Sequence, residues 1–169
     1  AVDIALMAML SHSGLRLSES LAMRAMSTAV VFERPGEMTI RPVELPEPHS
    51  TDCVVEVQWT GISTGTERLL WDGRMPPFPG LAYPLVPGYE SVGSVLSTGE
   101  QTDFEVGQRV FVPGSRGFKD VHGLFGGAAR SLVVPAERLI TLPAETESTG
   151  VLLALAATAC HALRRMEDL

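Results

Sequence analysis

Cysteine is scarce in this chain: Cys53 and Cys160 are the whole supply in 169 residues, and neither stands in a CxxC pair or a Cys/His cluster. That excludes a disulfide framework and a structural zinc site of the four-cysteine kind. Both are expected as small core residues. Positive charge is short as well, with 13 Lys and Arg against 20 Asp and Glu, a formal charge of -7. A nucleic-acid partner is excluded on that balance, because such affinity comes from basic side chains displacing counterions and no basic cluster offsets the deficit. No apolar run is long enough to cross a bilayer: the longest, Val151 to Cys160, falls well short of roughly 20 residues, and it reads as a buried helix. A secretory leader opens with positive charge, whereas Ala1 to Leu10 contains Asp3 and no Lys or Arg. The expected compartment is therefore cytoplasmic.

What is present is a hydrophobic content of 45%, enough for a large core in one domain or one domain plus part of another. Residues 1–26 are rich in Met and Ala, lack Pro, and read as an N-terminal extension of unknown role. They form one or two short helices broken near Ser11-His12-Ser13-Gly14, or they precede a natural start at Met26-Ser27-Thr28. From Thr28 onward short strands alternate with Pro and Gly, the pattern of an all-β barrel-like unit. Thr28 to Glu33 and Met38 to Val43 are expected to pair across Arg34-Pro35-Gly36-Glu37. Asp52 to Thr60 alternates, with Cys53, Val55, Val57 and Trp59 on the face expected to be core. Further strands are expected at Ser91 to Thr98, Gln108 to Val112, Ala129 to Val134 and Leu139 to Leu142, with a short helix at Glu67 to Trp71. After a polar stretch from Glu145 to Gly150, Val151 to Arg165 lacks Gly and Pro and opens a new element.

Four runs carry a resemblance when taken together: Gly61-Ile62-Ser63, Pro87-Gly88-Tyr89-Glu90, Val106-Gly107-Gln108-Arg109-Val110, and Val133-Val134-Pro135-Ala136-Glu137-Arg138-Leu139. In this order they resemble the N-terminal GroES-like catalytic domain of the medium-chain dehydrogenase/reductase superfamily. The stretch Gly61 to Gly93, with Leu69-Leu70-Trp71-Asp72-Gly73-Arg74 and the Pro-rich segment after it, is similar more narrowly to the bacteriochlorophyllide dehydrogenases. The resemblance implies a mainly β fold, a GroES-like partly open barrel with short helices over residues 27–145. Residues 146–169 then form a linker and the first helix of a truncated Rossmann-type, cofactor-binding domain. It implies oxidation of a 3-(1-hydroxyethyl) group on a bacteriochlorophyllide substrate to 3-acetyl with NAD, in bacteriochlorophyll synthesis. Oligomerisation, if any, runs through the missing domain.

Departures from the superfamily matter as much. Its catalytic zinc is commonly held by a cysteine where Ser63 stands, a histidine where Tyr89 stands, and a third ligand near the helix start, where Leu152-Leu153-Ala154 offers only Ala154. The segment Pro113 to Ala129, where the superfamily often carries four structural cysteines, has none, and His122 there is expected as a solvated loop residue. No metal is expected. A dinucleotide sits where a Gly-rich turn links a strand to a helix; Gly123-Leu124-Phe125-Gly126-Gly127 lacks that spacing and is expected as a flexible loop. The chain alone is therefore expected to bind NAD weakly and not to turn over.

Without zinc, the proton of a secondary alcohol needs another route, and a ring-conjugated carbinol lessens the need by stabilising positive charge at carbon as hydride departs. Ser63, Thr64, Thr66 and Tyr89 are the candidate hydroxyls, and Glu90 is a candidate buried base. Each has a structural alternative: Ser63 and Thr64 as caps of the short helix, Tyr89 as a core aromatic, Glu90 as an ion-pair partner. His161 is expected as a satisfied core histidine. Met75, Phe78, Leu81 and Tyr83 are candidates for a wall against a large flat ring, or a rigid loop packed on the barrel. Two other functions stay open: a zinc-free NADPH quinone or enone reductase, and a stand-alone GroES-like module that binds pigment or protein.

Overall fold

Chain reversal at Pro35-Gly36, where Gly36 takes φ 76°, sets up the first sheet in the computed structural model, which describes residues 26–167. The expected extension lies outside the described residues apart from Met26. β1 (Met26–Arg34) and β2 (Glu37–Glu44) pair antiparallel, with Val30 opposite Ile40 and Thr28 opposite Pro42. Pro42 is tolerated because β2 is the edge of the sheet, whose order is β2-β1-β4-β7, and an edge strand can forgo a ladder N–H. The second sheet has the order β8-β3-β5-β6-β9, built from β3 (Asp52–Thr60), β5 (Ser91–Thr98), β6 (Arg109–Val112), β8 (Ser131–Pro135) and β9 (Ile140–Thr141). Two-residue strands β4 (Leu85–Val86) and β7 (His122–Gly123), parallel to each other, were not expected. They are too short to show a period. α1 covers Thr66–Trp71, and α2 covers Leu153–Glu167 after a 3-10 turn at Ser148–Leu152.

The valines of alternating strand positions meet in one core: Val31, Val43, Val55, Val95, Val110 and Val134 are buried together from both sheets. A second cluster gathers Phe32, Leu70, Leu85 and Leu124, with Trp71 edge-on to Phe32 at 5.7 Å. One ion pair has a fully buried acid, Asp52, and a half-buried base, Arg116. Asp52 Oδ2 accepts from Arg116 Nε at 2.7 Å and from the His49 backbone N–H at 2.8 Å, which fixes the turn before β3.

Several expectations are corrected. The core face of β3 fails at its end: Cys53 and Val55 are buried, but Trp59 is 40% exposed. The cause is a register shift against β5 between Val57 and Trp59, since a bulge breaks the period of two. The strand expected from Leu139 shrinks to Ile140–Thr141, and the one expected from Ala129 runs from Ser131 to Pro135. α2 exists, yet it is not buried: Leu155 is 58% and Leu163 62% exposed, because no described element lies across its length. No described helix is long and apolar enough to cross a membrane. Cys160 and His161 are exposed with α2 and are not core residues, whereas Cys53 is buried as expected. Burial pushes the Cys53 thiol pKa up, so a thiol reagent is expected to label Cys160 in the native chain and Cys53 only in denaturant. Mass spectrometry of labelled peptides checks this; native labelling of Cys53 contradicts the burial.

Candidate active site

Three backbone segments are laced into one floor. The Gly61 N–H donates to the Glu90 carbonyl at 2.7 Å, the Gly127 N–H to the Gly88 carbonyl at 2.8 Å, and the Ala128 N–H to the Pro87 carbonyl at 2.9 Å. The two glycines explain the closeness. A Cβ on Gly61 would stand 2.4 Å from Glu90 Oε2, and one on Gly88, which has φ 101°, would stand 2.8 Å from the Ala128 nitrogen. Thus Gly61 lies against Glu90 because it has no Cβ to meet that side chain, and Pro87-Gly88 lies against Gly127-Ala128 because Gly88 has none to meet their backbone.

α1 begins after Gly65, with no side-chain cap. The Glu67 N–H is satisfied instead by the Ser63 backbone carbonyl at 2.9 Å. The capping alternative for Ser63 and Thr64 is therefore corrected. Ser63 Oγ donates to Thr66 Oγ1 at 3.4 Å, and Thr66 Oγ1 lies 3.2 Å from Tyr89 Oη. Both are loose beside the about 2.5–3.0 Å of a firm O–H···O bond. Thr64 is exposed and outside this chain of hydroxyls.

Tyr89 stands at the polar end of a cleft of about 410 Å³. Thr66 and Tyr89 supply the hydroxyls, and Phe111, Phe125, Ile140, Leu153 and Ala154 the apolar surface. Tyr89 meets Phe125 edge-on at 5.2 Å. The first turn of α2 brings Ala154 to the same cleft as Tyr89; these are two of the three positions that the resemblance marked as vacant ligand positions.

Behind the floor lie two carboxyls. Glu67 is 7% and Glu90 5% exposed, Glu67 Oε2 and Glu90 Oε1 are buried without a hydrogen-bond partner, and neither joins an ion pair among the described residues. Glu90 as a structural ion-pair partner is corrected accordingly. Burial pushes the Glu67 pKa up to about 7, with the Glu90 charge adding to the rise and backbone N–H groups opposing it. Burial also raises Glu90.

The Pro-rich segment goes elsewhere. Met75, Leu81 and Tyr83 pack on the second cluster around Leu70, with the Tyr83 hydroxyl donating to the Leu70 carbonyl, and Phe78 is 38% exposed. None of the four lines the cleft. Sequence reasoning missed Phe111, Pro113, Phe125, Ile140 and Leu153. The one available signal was a large aromatic set among the glycines of Gly123 to Gly127. That stretch is packed, not the flexible loop expected, with Leu124, Gly126 and Gly127 buried. His122 is exposed, as expected, though on β7.

Two hydroxyls and a methyl group do not form a zinc donor set, and among the described residues no three His, Cys, Asp or Glu side chains are placed to hold a metal. β3 leads through Gly61 to Gly65 into α1, but that turn lacks the GxGxxG spacing and α1 has only 6 residues, so it is not of the pyrophosphate-binding kind.

A 2-desacetyl-2-hydroxyethyl bacteriochlorophyllide A dehydrogenase of Cereibacter sphaeroides is 49% identical over 142 residues, 81% of this chain and 45% of the relative. A protein of the same name from Rhodobacter capsulatus is 48% identical over 140 residues, 82% of this chain and 45% of its own length. The chain thus spans less than half the length of these curated relatives. Among solved structures, 2R,3R-butanediol dehydrogenase from Bacillus subtilis matches with a TM-score of 0.66 at 25% identity, over 82% of this chain and 47% of that one. Residues 49–144 match the alcohol dehydrogenase GroES-like domain, more than half of the chain, which therefore belongs to that family within the medium-chain dehydrogenase/reductase superfamily.

Proposed function

We propose that this chain is the substrate-side domain of a zinc-independent, NAD-linked dehydrogenase that oxidises the hydroxyethyl substituent of a bacteriochlorophyllide to acetyl. The observation that carries the reading is the run of hydroxyls Ser63, Thr66 and Tyr89 at the polar end of an apolar cleft, where the superfamily holds its metal. Two relatives near 49% and 48% identity whose names state that substrate support it.

Oxidation breaks the carbinol C–H and O–H bonds and forms C=O, with two electrons leaving as hydride and one proton leaving the oxygen. NAD, held outside the described residues, supplies the hydride acceptor. The chain's own part is the proton and the pose. Tyr89 Oη accepts the hydrogen bond of the substrate hydroxyl, and the proton passes through Thr66 and the half-buried Ser63 to solvent water, with the Ser63–Thr66 hydroxyl pair reversing its donor as it does so. Phe111, Ile140 and Leu153 exclude water beside the reacting carbon. Glu67 and Glu90 do not line the cleft. A ring-conjugated carbinol needs less alkoxide character than an aliphatic one, so hydroxyls suffice where a Lewis acid is otherwise used.

The test is a hybrid in which this chain replaces the matching segment of the Cereibacter sphaeroides relative, assayed with NAD and the hydroxyethyl pigment. The expected result is acetyl product at a rate unchanged by a strong zinc chelator, and no turnover from the 169-residue chain on its own. No product from a folded hybrid, or loss of rate on chelation, refutes the reading.

A further inference from the structure

Phe125 carries a conformation that its packing does not account for. It is the one non-glycine residue among those described with a positive φ, 64°, in the left-handed region that L-residues avoid. Strain of this kind persists where the surroundings over-determine it. Here the Ser115 N–H donates to the Phe125 carbonyl at 2.7 Å, and the Gly127 N–H to the Gly88 carbonyl at 2.8 Å. The next residue, Gly126, is also left-handed, at φ 67°. A strained residue whose side chain fills a core would be explained by burial. The Phe125 side chain is instead 46% exposed, on the wall of the cleft, with its ring at 65° to that of Tyr89.

We infer that Phe125 is a specificity residue: its strained backbone holds an aromatic face at the cleft mouth on which a flat, conjugated macrocycle stacks, setting the edge of that ring against Tyr89. The inference rests on the proposed reading of the site and adds the residue that recognises the plane of the substrate. A plate lying parallel to the Phe125 ring meets the Tyr89 ring at a steep angle, so a substituent on the rim of the plate comes to Tyr89 and the hydroxyls behind it. A small saturated alcohol enters the same apolar space but finds no advantage in a flat face, because offset stacking is available only between π-systems. Pro113 and Ile140, on the other walls, supply apolar area to either ligand.

The test uses the 169-residue chain with two probes, pheophorbide a as the flat macrocycle and menthol as the saturated alcohol, each titrated by calorimetry. Phe125→Leu keeps apolar bulk and removes the aromatic face. The expected result is about tenfold weaker binding of pheophorbide a with menthol binding unchanged. Phe125→Asn suits the left-handed backbone, so it is expected to lose pheophorbide a binding with no fall in Tm. Equal weakening of both probes, unchanged pheophorbide a binding in Phe125→Leu, or a lower Tm for Phe125→Asn overturns the inference in favour of a packing role. Turnover in the hybrid separates this from the proposed function. Selective loss of ring binding without any hydroxyethyl oxidation sinks only the reaction, and oxidation with an unchanged KM in Phe125→Leu sinks only the stacking role.

Discussion

Between pH 4 and pH 8 the chain is expected to lose about 3 kcal/mol of stability through Glu67 alone, and Glu67→Gln is expected to abolish most of that loss. The folded carboxyl has a pKa of about 7 against a reference of 4.5. Between those values the native state holds a proton that the unfolded chain has released. Stability from this group is thus fully present below the unfolded pKa and falls as pH rises through the folded one. The cause is burial first, since Glu67 is 7% exposed with one oxygen unpartnered, and the neighbouring Glu90 charge second. Glu33 acts in the opposite sense: its hydrogen bonds from Arg41 and Thr39 lower its pKa, so its contribution grows with pH. Comparing variant with parent across pH cancels that background. Urea midpoints at pH 4 and pH 8 provide the measurement, with the variant the more stable at pH 8 and the m-value unchanged. Parallel curves for the two proteins defeat the argument.

How far the residues alone led can be judged from where they lie. Ser63, Tyr89 and Ala154 were legible as three related positions because each sits in a short local run, and a run survives without knowledge of the fold. The pairing of β1 with β2 was legible for the same reason, through one turn at Pro35-Gly36. Phe111, Phe125, Ile140 and Leu153 were not, since they reach one cleft from four separate segments. Only the pairing of β6 with β5 and β9, the lacing of Gly127 to Gly88, and the start of α2 bring them together. Trp59 shows a second limit. Its place in an alternating strand predicts burial, and one bulge after Val57 reverses that. The direction of Met75, Leu81 and Tyr83 was a third, because proline content specifies a stiff segment without specifying which surface it covers.

Tyr89→Phe in the hybrid enzyme is expected to lower kcat by about 10²-fold or more, the usual scale for removing a positioned proton-handling group, with a much smaller change in KM. Phenylalanine retains the ring that meets Phe125 edge-on, so the substitution deletes one hydroxyl and little else. Thr66→Val removes the next member, whose Oγ1 lies 3.2 Å from Tyr89 Oη. If the two hydroxyls act as one path, the double variant is no worse than Tyr89→Phe, because residues that work as a unit are non-additive. If they act separately, the losses multiply. A kcat within twofold of the parent for Tyr89→Phe removes Tyr89 from the chemistry. A rise in KM at constant kcat reassigns it to holding substrate, which is the remaining use for a phenol at the polar end of an apolar cleft.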